Sequence, residues 1–503
     1  MLSKIYSCCF FGLEGFCVEV ETFISNGLPY CTIVGLPDAS VNESKERVRS
    51  AIKNSGMEFP LSRITVNMAP ADIRKEGALY DLPIALGILL SSGQVSPALS
   101  LEDTAFLGEL SLGGQVKGVK GVLTMAIALK EMGFKRIVLP CENAQEASIV
   151  EGMEIIAVKT LGDTVGFLEG PHLYRSYKRE EQPEEASGVQ IDFNDVKGQQ
   201  NAKRALEIAA AGMHNIILIG PPGSGKTMLA RRLPTILPDL NEEQALEVTK
   251  IYSIAGKLEG RPVIKSPPFR APHHTISAAS LVGGGSIPKP GEISLAHQGV
   301  LFLDELPEFT RKVLETLRQP VENETITVSR VSATFSFPAK FLLVASANPC
   351  PCGYYGDHTR ECRCSPRDIQ RYFGKISGPL LDRIDLQIEV SRVPMEDLEQ
   401  KSSGLTSAQV KERVMRARDI QYNRLEKRKI MYNSQLSIRG IEECCQVSAD
   451  ALEFLNRTYR RLGLSARGYV KVLKVARTIA DLAGRQGVET GDIAEALQYR
   501  IIS

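Results

Sequence analysis

Eight consecutive residues combine three glycines with a lysine and a threonine at fixed spacing: GPPGSGKT, residues 220–227. They follow the apolar run NIILIG (215–220) and precede a stretch with helical periodicity. Glycines there let backbone N–H groups surround a phosphate, and a helix N-terminus adds its positive end. Lys226 could neutralise the β- and γ-phosphates of a nucleotide, and Thr227 could ligate magnesium. The pattern G-x-x-x-x-G-K-[ST] after a strand therefore predicts an ATP and Mg²⁺ site, rather than a chance glycine turn, at Gly220, Pro221, Pro222, Gly223, Ser224, Gly225, Lys226 and Thr227.

A second apolar run, VLFLDE (300–305), ends in two carboxylates. At the C-terminal end of such a strand, Asp304 could hold the magnesium ion with its water shell. Glu305 could then orient or deprotonate an attacking water. Apolar runs that end in Asp-Glu are common, but this one lies downstream of a complete P-loop, so we predict a Walker B segment.

With these two motifs the segment resembles an AAA+ ATPase, and more closely the magnesium-chelatase-like group of that class. The resemblance implies that Asn348, at the end of FLLVASAN, senses the γ-phosphate. It also implies an arginine finger acting on the neighbouring subunit's site, Arg383 in GPLLDRIDL, and a second sensor arginine in a helical lid, Arg467. From the residues alone, an isolated arginine is more often part of a surface ion pair. A finger in trans implies a homo-oligomer, and the family suggests a ring, a hexamer. Residues 192–199 (DFNDVKGQ) look like the segment that packs on the adenine base in this class.

Longer segments resemble the ComM/YifB family of bacterial magnesium-chelatase-like proteins. They include 269–309, beginning FRAPHHTIS, and 377–390, SGPLLDRIDLQIEV, as well as 37–56 and 69–86 near the N-terminus. Members of this family are implicated in natural transformation as ring helicases that drive branch migration. The resemblance therefore implies an ATP-driven motor that acts on single-stranded or branched DNA. A protein-remodelling ATPase, like the motor subunit of magnesium chelatase, is the alternative.

Two insertions fit a ring that threads DNA. Residues 265–299 form a polar, glycine-rich excursion, and residues 324–338 alternate apolar and polar side chains as a hairpin does. Lys289 and Arg330 could contact phosphates there, or could be ordinary surface cations. The adjacent His273 and His274 are expected to take part in the packing of the insertion or in subunit or DNA contacts. The net charge of +1 gives no overall nucleic-acid footprint.

The N-terminal part resembles the Lon-protease fold. In RKEGALYDLPIAL the place of the Lon serine is taken by Ala78 or Leu79, and no lysine occurs between Val122 and Leu129. Without nucleophile or base, a Ser–Lys peptidase mechanism is not available. We therefore predict a scaffold or DNA-contact domain.

Four of the 11 cysteines fall in two C-x-C pairs separated by nine residues. Four thiolates are the right number for a structural zinc site, and His358 could replace one sulfur. Reduced free thiols or an air-oxidised disulfide are the alternatives. We predict a structural Zn²⁺ site at Cys350, Cys352, Cys362 and Cys364.

The 503 residues, 43% hydrophobic and 24% charged, indicate a protein of several domains with no membrane partner. The N-terminus makes a poor signal peptide, so a cytoplasmic location is expected. The predicted fold class is α/β: an AAA+ P-loop domain with a helical lid, preceded by a Lon-protease-like α/β domain lacking the catalytic dyad. The predicted ranges are 1–173 for the Lon-like domain, 174–189 for a linker, 190–393 for the ATPase core with a cysteine knuckle at 350–364, and 394–503 for the lid.

Overall fold

The computed structural model describes residues 2–179, 191–285, 289–329, 334–357, 360–393, 404–462 and 465–500. Two compact units are present: Met1–Glu185 with Leu246–Ile264, and Ala186–Ala245 with Lys265–Ser503. The domain boundaries drawn from the sequence stay predictions. None of the helices in the described ranges is long and apolar enough to cross a membrane.

The first unit contains a seven-stranded mixed sheet in the order β3-β4-β2-β1-β5-β8-β9. β2 pairs antiparallel with both β1 and β4, and the other neighbours are parallel. β6 and β7 form a separate antiparallel pair. The strands are β1 Leu2–Phe11, β2 Glu14–Ser25, β3 Tyr30–Val34, β4 Arg63–Ala69, β5 Thr104–Phe106, β6 Glu109–Leu110, β7 Val116–Lys117, β8 Arg136–Pro140 and β9 Glu154–Val158.

Helices of the first unit pack against this sheet, and every residue of Asp81–Ser91 is buried. Burial raises the pKa of Asp81 to about 6, although Arg47 lies 2.6 Å away and opposes the shift. The mixed α/β class predicted for this part is confirmed. Its helices are Ala39–Asn54, Asp81–Ser91, Val122–Glu131, Cys141–Ala147 and Leu161–Glu169, with short 3₁₀ turns at Ala78–Tyr80 and Pro171–Leu173.

Five parallel strands form the centre of the second unit, in the order β11-β14-β17-β10-β18. The three apolar runs recognised in the sequence are β10, β14 and β17, and their residues are buried, as the centre of a parallel sheet requires. The parallel α/β sheet is therefore confirmed. The strands are β10 Ile216–Ile219, β11 Phe269–Arg270, β14 Val300–Leu303, β17 Leu342–Ala347 and β18 Leu386–Glu389.

The second unit also contains two small antiparallel pairs: β12 Gly283–Gly284 with β13 Lys289–Pro290, and β15 Thr325–Ser329 with β16 Thr334–Pro338. The second pair is the predicted hairpin, and its tip with Arg330 lies outside the described residues. The helices between the strands of this unit are Gln200–Gly212, Lys226–Ile236, Ala278–Val282, Glu292–Leu295, Arg311–Thr316, Arg318–Asn323, Pro366–Phe373 and Gly378–Leu381, with 3₁₀ turns at Phe193–Asp195 and Leu306–Glu308. The helix Glu242–Ala255 begins in this unit, and its residues from Leu246 onward belong to the first unit.

The C-terminal part is helical, as predicted, and shares one hydrophobic core with the sheet. A buried polar chain adds to that packing, because the fully buried His214 lies 3.0 Å from Asp385 through Nδ1 and 2.8 Å from Thr478 through Nε2. The C-terminal helices are Ser407–Leu425, Ile438–Cys444, Ala449–Leu462, Ala466–Leu482 and Thr490–Gln498, with 3₁₀ turns at Glu426–Arg428 and Asn433–Gln435.

Candidate functional site

The loop 220–225 connects β10 to the helix Lys226–Ile236, as the P-loop pattern predicts. Gly223 and Gly225 have φ of +79° and +90°, in the left-handed region that favours glycine. A Cβ on Gly220 would lie 2.1 Å from the carbonyl oxygen of Val390. These glycines are thus required by the backbone path. The resulting loop at a helix N-terminus suits a phosphate chain.

Lys226, the first residue of the helix, directs its ammonium group back onto this loop. Its Nζ donates to the carbonyl oxygens of Gly220 and Pro221, at 2.6 and 2.9 Å, and lies 3.3 Å from Asn348 Oδ1. Burial lowers the pKa of Lys226 to about 8, although Asp304 and other nearby carboxylate charge oppose the shift. The structure thus brings the P-loop lysine and the predicted sensor into direct contact.

The two magnesium candidates also meet, since Thr227 Oγ1 donates to Asp304 Oδ2 at 2.9 Å. Ser346, in β17, donates its hydroxyl to Asp304 Oδ1 and accepts the backbone N–H of Glu305 at 3.0 Å. A hydroxyl beside a carboxylate is the oxygen donor set that Mg²⁺ prefers, so the residues fit the expected ion. Sequence reasoning missed Ser346. The pleat was a partial signal, because Ser346 lies two residues before the predicted sensor Asn348, the spacing that puts side chains on one face of an extended chain.

His274 is a second residue whose place was not foreseen. Its Nδ1 lies 3.9 Å from Glu305 Oε2, and its ring lies against that of His273 with centroids 4.1 Å apart. The expectation from sequence was packing within the insertion or contacts with subunits or DNA. The pairing of β11 with β14 explains the position, because the residues that follow two neighbouring parallel strands come out at the same edge.

Arg383 and Arg467 lie at the opposite edge of the sheet from the P-loop. Arg383 lies three residues before the start of β18, and its carbonyl oxygen accepts from the side chain of Asn215, which directly precedes β10. Because the P-loop follows the other end of β10, a strand of four residues separates the edges by about 13 Å.

Ion pairs hold both arginines at this edge. Arg383 pairs with Glu322, and Arg467 Nη1 lies 3.2 Å from Asp382 Oδ2. All four residues line one cavity of about 460 Å³. The structure therefore brings the two predicted arginines to one cavity, and not to the P-loop of their own chain.

The cysteine cluster lies directly after β17 and Asn348. The sulfur atoms of Cys350, Cys352, Cys362 and Cys364 all lie within 4.8 Å of one another, and Cys350 is buried. Four soft sulfur donors at this separation suit zinc. His358, the alternative ligand, lies outside the described residues.

The remaining predicted residues flank the site or lie on the insertions. In the segment 192–199, Phe193 is buried and Gln199 Nε2 donates to the carbonyl oxygen of Ser224 at 3.3 Å, so the segment borders the P-loop. Its role toward adenine stays a prediction. Lys289 is exposed in β13. Its contact with DNA stays a prediction.

Comparison with known proteins gives three family models. "Magnesium chelatase, subunit ChlI" matches residues 192–398, "Subunit ChlI of Mg-chelatase" matches 20–143, and "Magnesium chelatase, subunit ChlI C-terminal" matches 404–500. The chain is 46% identical to competence protein ComM of Haemophilus influenzae over 504 residues, covering 99% of this chain and 97% of ComM. It is 44% identical to YifB of Escherichia coli, covering 100% and 97%. The chloroplastic magnesium-chelatase subunit ChlI of rice is 23% identical over 61% of this chain and 73% of its own length.

Proposed function

We propose that this chain, which belongs to the ComM/YifB family of magnesium-chelatase-like AAA+ ATPases, is a ring-forming motor that uses ATP to move on DNA. The observation that carries the proposal is the 46% identity to a competence protein along almost the whole chain, combined with a complete set of ATP-site residues. Competence is the uptake of DNA. The proposed task is helicase action or branch migration on single-stranded or branched DNA during transformation or recombination.

The chain's own residues divide the chemistry among them. ATP, when bound, would supply the γ-phosphoryl group, and the accompanying Mg²⁺ would neutralise part of the phosphate charge. Lys226 holds the phosphates, and Thr227 and Asp304 hold the metal. Glu305 orients or deprotonates the attacking water, while Asn348 stays beside the ammonium group of Lys226 and responds to the γ-phosphate.

Arg383 completes the site of a neighbouring subunit, and we extend this proposal to Arg467, for which the sequence predicted only a sensor role in the lid. This assignment is supported by their position at the sheet edge remote from their own P-loop, where each forms an ion pair with a carboxylate. An arginine finger contributes roughly 10³ to 10⁵ in rate in other P-loop enzymes. The active form is therefore a homo-oligomer, and we propose a hexameric ring.

The DNA would contact the two insertions. Thr327 and Ser336 form part of an exposed polar face on the hairpin β15–β16, and the exposed Lys289 supplies a cation for phosphates. We place the protein in the cytoplasm and regard its N-terminal unit as a Lon-like scaffold. That unit has Ala78 in a 3₁₀ turn at the place of the Lon nucleophile, and a helix without lysine at 122–129.

A protein-remodelling motor is the second candidate. It is favoured by the match of all three family models to a magnesium-chelatase subunit and by the likeness to rice ChlI. The two candidates share the ATP chemistry and differ in what the ring acts on.

Steady-state ATPase activity of the purified protein separates the two. We expect hydrolysis to rise several-fold with single-stranded or four-way-junction DNA, and to fall at least about 100-fold in Glu305→Gln, which removes the base and keeps the shape of the side chain. Activity that depends on Glu305 and ignores single-stranded, duplex and junction DNA would contradict a DNA motor. It would direct the search to a protein client.

A further inference from the structure

The four cysteine sulfurs are spaced as a zinc tetrahedron requires. With Zn–S bonds of about 2.3 Å, neighbouring sulfurs lie roughly 3.8 Å apart. The observed separations are 3.3 Å for Cys350–Cys352, 3.7 Å for Cys350–Cys362 and 3.6 Å for Cys352–Cys362, and Cys364 lies within 4.8 Å of the other three. A disulfide needs a separation of about 2.05 Å. The thiols are thus gathered around a point without being bonded in pairs.

Backbone N–H groups point at two of these sulfurs. The amide of Tyr355 lies 3.3 Å from Cys350 Sγ, and the amide of Cys364 lies 3.4 Å from Cys362 Sγ. Hydrogen bonds of this kind orient the ligands of a metal and stabilise their charged form. They fit a set of thiolates that share one cation.

The cysteine loop, defined as the described residues 348–357 and 360–365, contacts the P-loop through its first part. Gly353 has φ of +87°, and a Cβ there would lie 2.7 Å from Cδ of Pro222. Asn348, at the other end of the same turn, approaches Lys226 to 3.3 Å and is only two residues from Cys350. The cysteines proposed to bind the metal are therefore close in sequence to Asn348 and Gly353, the two residues of the loop that contact the P-loop.

The far side of the loop is tied to the segment that follows β18. Arg392 pairs with Asp357 at 3.3 Å, and its guanidinium lies 5.8 Å from the ring centroid of Tyr354. The carbonyl oxygen of Val390, in the same segment, faces Gly220. Among the described residues of the cysteine loop there is no helix or strand, so the cluster is the main element that could fix its shape.

We propose that Cys350, Cys352, Cys362 and Cys364 bind one Zn²⁺, and that this ion positions the cysteine loop against the P-loop so that tight ATP binding requires zinc. The inference rests on the ATP site proposed above and adds a condition for its use. Because the binding free energy of a structural metal serves to fold the segment that carries its ligands, loss of zinc releases Asn348 and Gly353 together. Reagents that oxidise or alkylate these thiols should weaken nucleotide binding for the same reason.

The test measures metal content and nucleotide affinity in the full-length protein. We expect about one zinc per chain by mass spectrometry of the metal, loss of zinc in the double variant Cys352→Ser/Cys362→Ser, and no loss in Cys141→Ser, a control at an exposed cysteine of the first unit. Cobalt substituted for zinc should show thiolate-to-metal charge-transfer absorption. The affinity for a fluorescent ATP analogue in excess Mg²⁺ should fall at least tenfold in the double variant.

Reversible removal of zinc from the unaltered protein keeps the test valid if the double variant folds poorly. A zinc-selective chelator should weaken binding of the ATP analogue by the same factor, and stoichiometric zinc should restore it. Absence of zinc and of a cobalt spectrum would overturn the site. Zinc that can be removed without any change in affinity would overturn its positioning role. Neither readout needs hydrolysis or DNA, so failure of the DNA-motor proposal would be recognised separately.

Discussion

Substitution of Gly353 by alanine tests the contact between the cysteine loop and the P-loop. The added methyl group meets Pro222 at 2.7 Å from Cδ and 2.8 Å from Cγ, well inside van der Waals contact. A proline ring cannot rotate away, so one of the two loops must move. Gly356 offers a matched control in the same loop, since it has a similar φ of +77° and nothing within 4 Å of an added Cβ.

The size of the effect follows from this comparison. Alanine in the left-handed region costs about 1 kcal/mol or somewhat more at either glycine. The overlap with Pro222 adds about 1–3 kcal/mol, the usual cost of forcing an extra methyl group into a packed site. If the P-loop takes up the displacement, that second cost appears as an affinity for ATP weakened by roughly 5- to 150-fold in Gly353→Ala.

Titration with a fluorescent ATP analogue, together with thermal unfolding with and without nucleotide, measures both parts. Both variants should lower the free energy of unfolding, whereas only Gly353→Ala should weaken nucleotide binding. Equal affinity for ATP in Gly353→Ala and Gly356→Ala would refute the idea that the cysteine loop supports the P-loop.

Three further predictions concern the catalytic groups. Removal of the hydroxyl in Ser346→Ala should lower kcat roughly 10- to 100-fold and raise the Mg²⁺ concentration needed for half-maximal activity, because Asp304 loses a hydrogen bond to a charged group. His274→Ala should change the turnover rate more than His273→Ala does, because the imidazole of His274 lies beside Glu305. Steady-state kinetics with saturating ATP would measure both rates, and equal effects would assign the two histidines to packing. The pKa of Lys226 is lowered to about 8, and phosphates favour the charged amine. Above pH 8, ATP binding should therefore take up a proton, and the affinity should weaken by at most tenfold per pH unit. Calorimetry in two buffers of different ionisation enthalpy would detect the proton uptake.

The nucleotide motifs were predictable because each is local. The P-loop pattern fixes a strand, a turn and a helix within about a dozen residues, and the apolar runs around Val300 and Leu342 could only be buried strands in that context. The hairpin followed from strict alternation, and its described strands pair from Thr325↔Pro338 to Ser329↔Thr334.

The order of the strands was not predictable. The contacts between side chains on neighbouring strands could therefore not be predicted either. Nothing in a single apolar run says that β17 lies between β14 and β10, so the hydroxyl of Ser346 could not be placed against Asp304. The contact of His274 with Glu305 could not be predicted for the same reason, because it depends on the pairing of β11 with β14. Likewise, the sequence placed Arg467 in a helical lid but could not show that its ion pair is with Asp382, next to Arg383.

In the mechanism that we propose, ATP hydrolysis depends on two separate conditions. Within a chain, Asn348 joins Lys226 to the cysteine loop, so we expect the folded state of that loop to act on nucleotide binding. Arg383 lies at the remote sheet edge, and if it acts on a neighbour as we propose, assembly governs the chemical step. Mixing Lys226→Ala subunits with Arg383→Ala subunits should therefore restore part of the ATPase activity, because some interfaces then pair an intact P-loop with an intact arginine. Zinc removal from the same mixture should abolish the recovery by weakening ATP binding at those interfaces, and a mixture with no recovered activity would mean that Arg383 does not act across the interface.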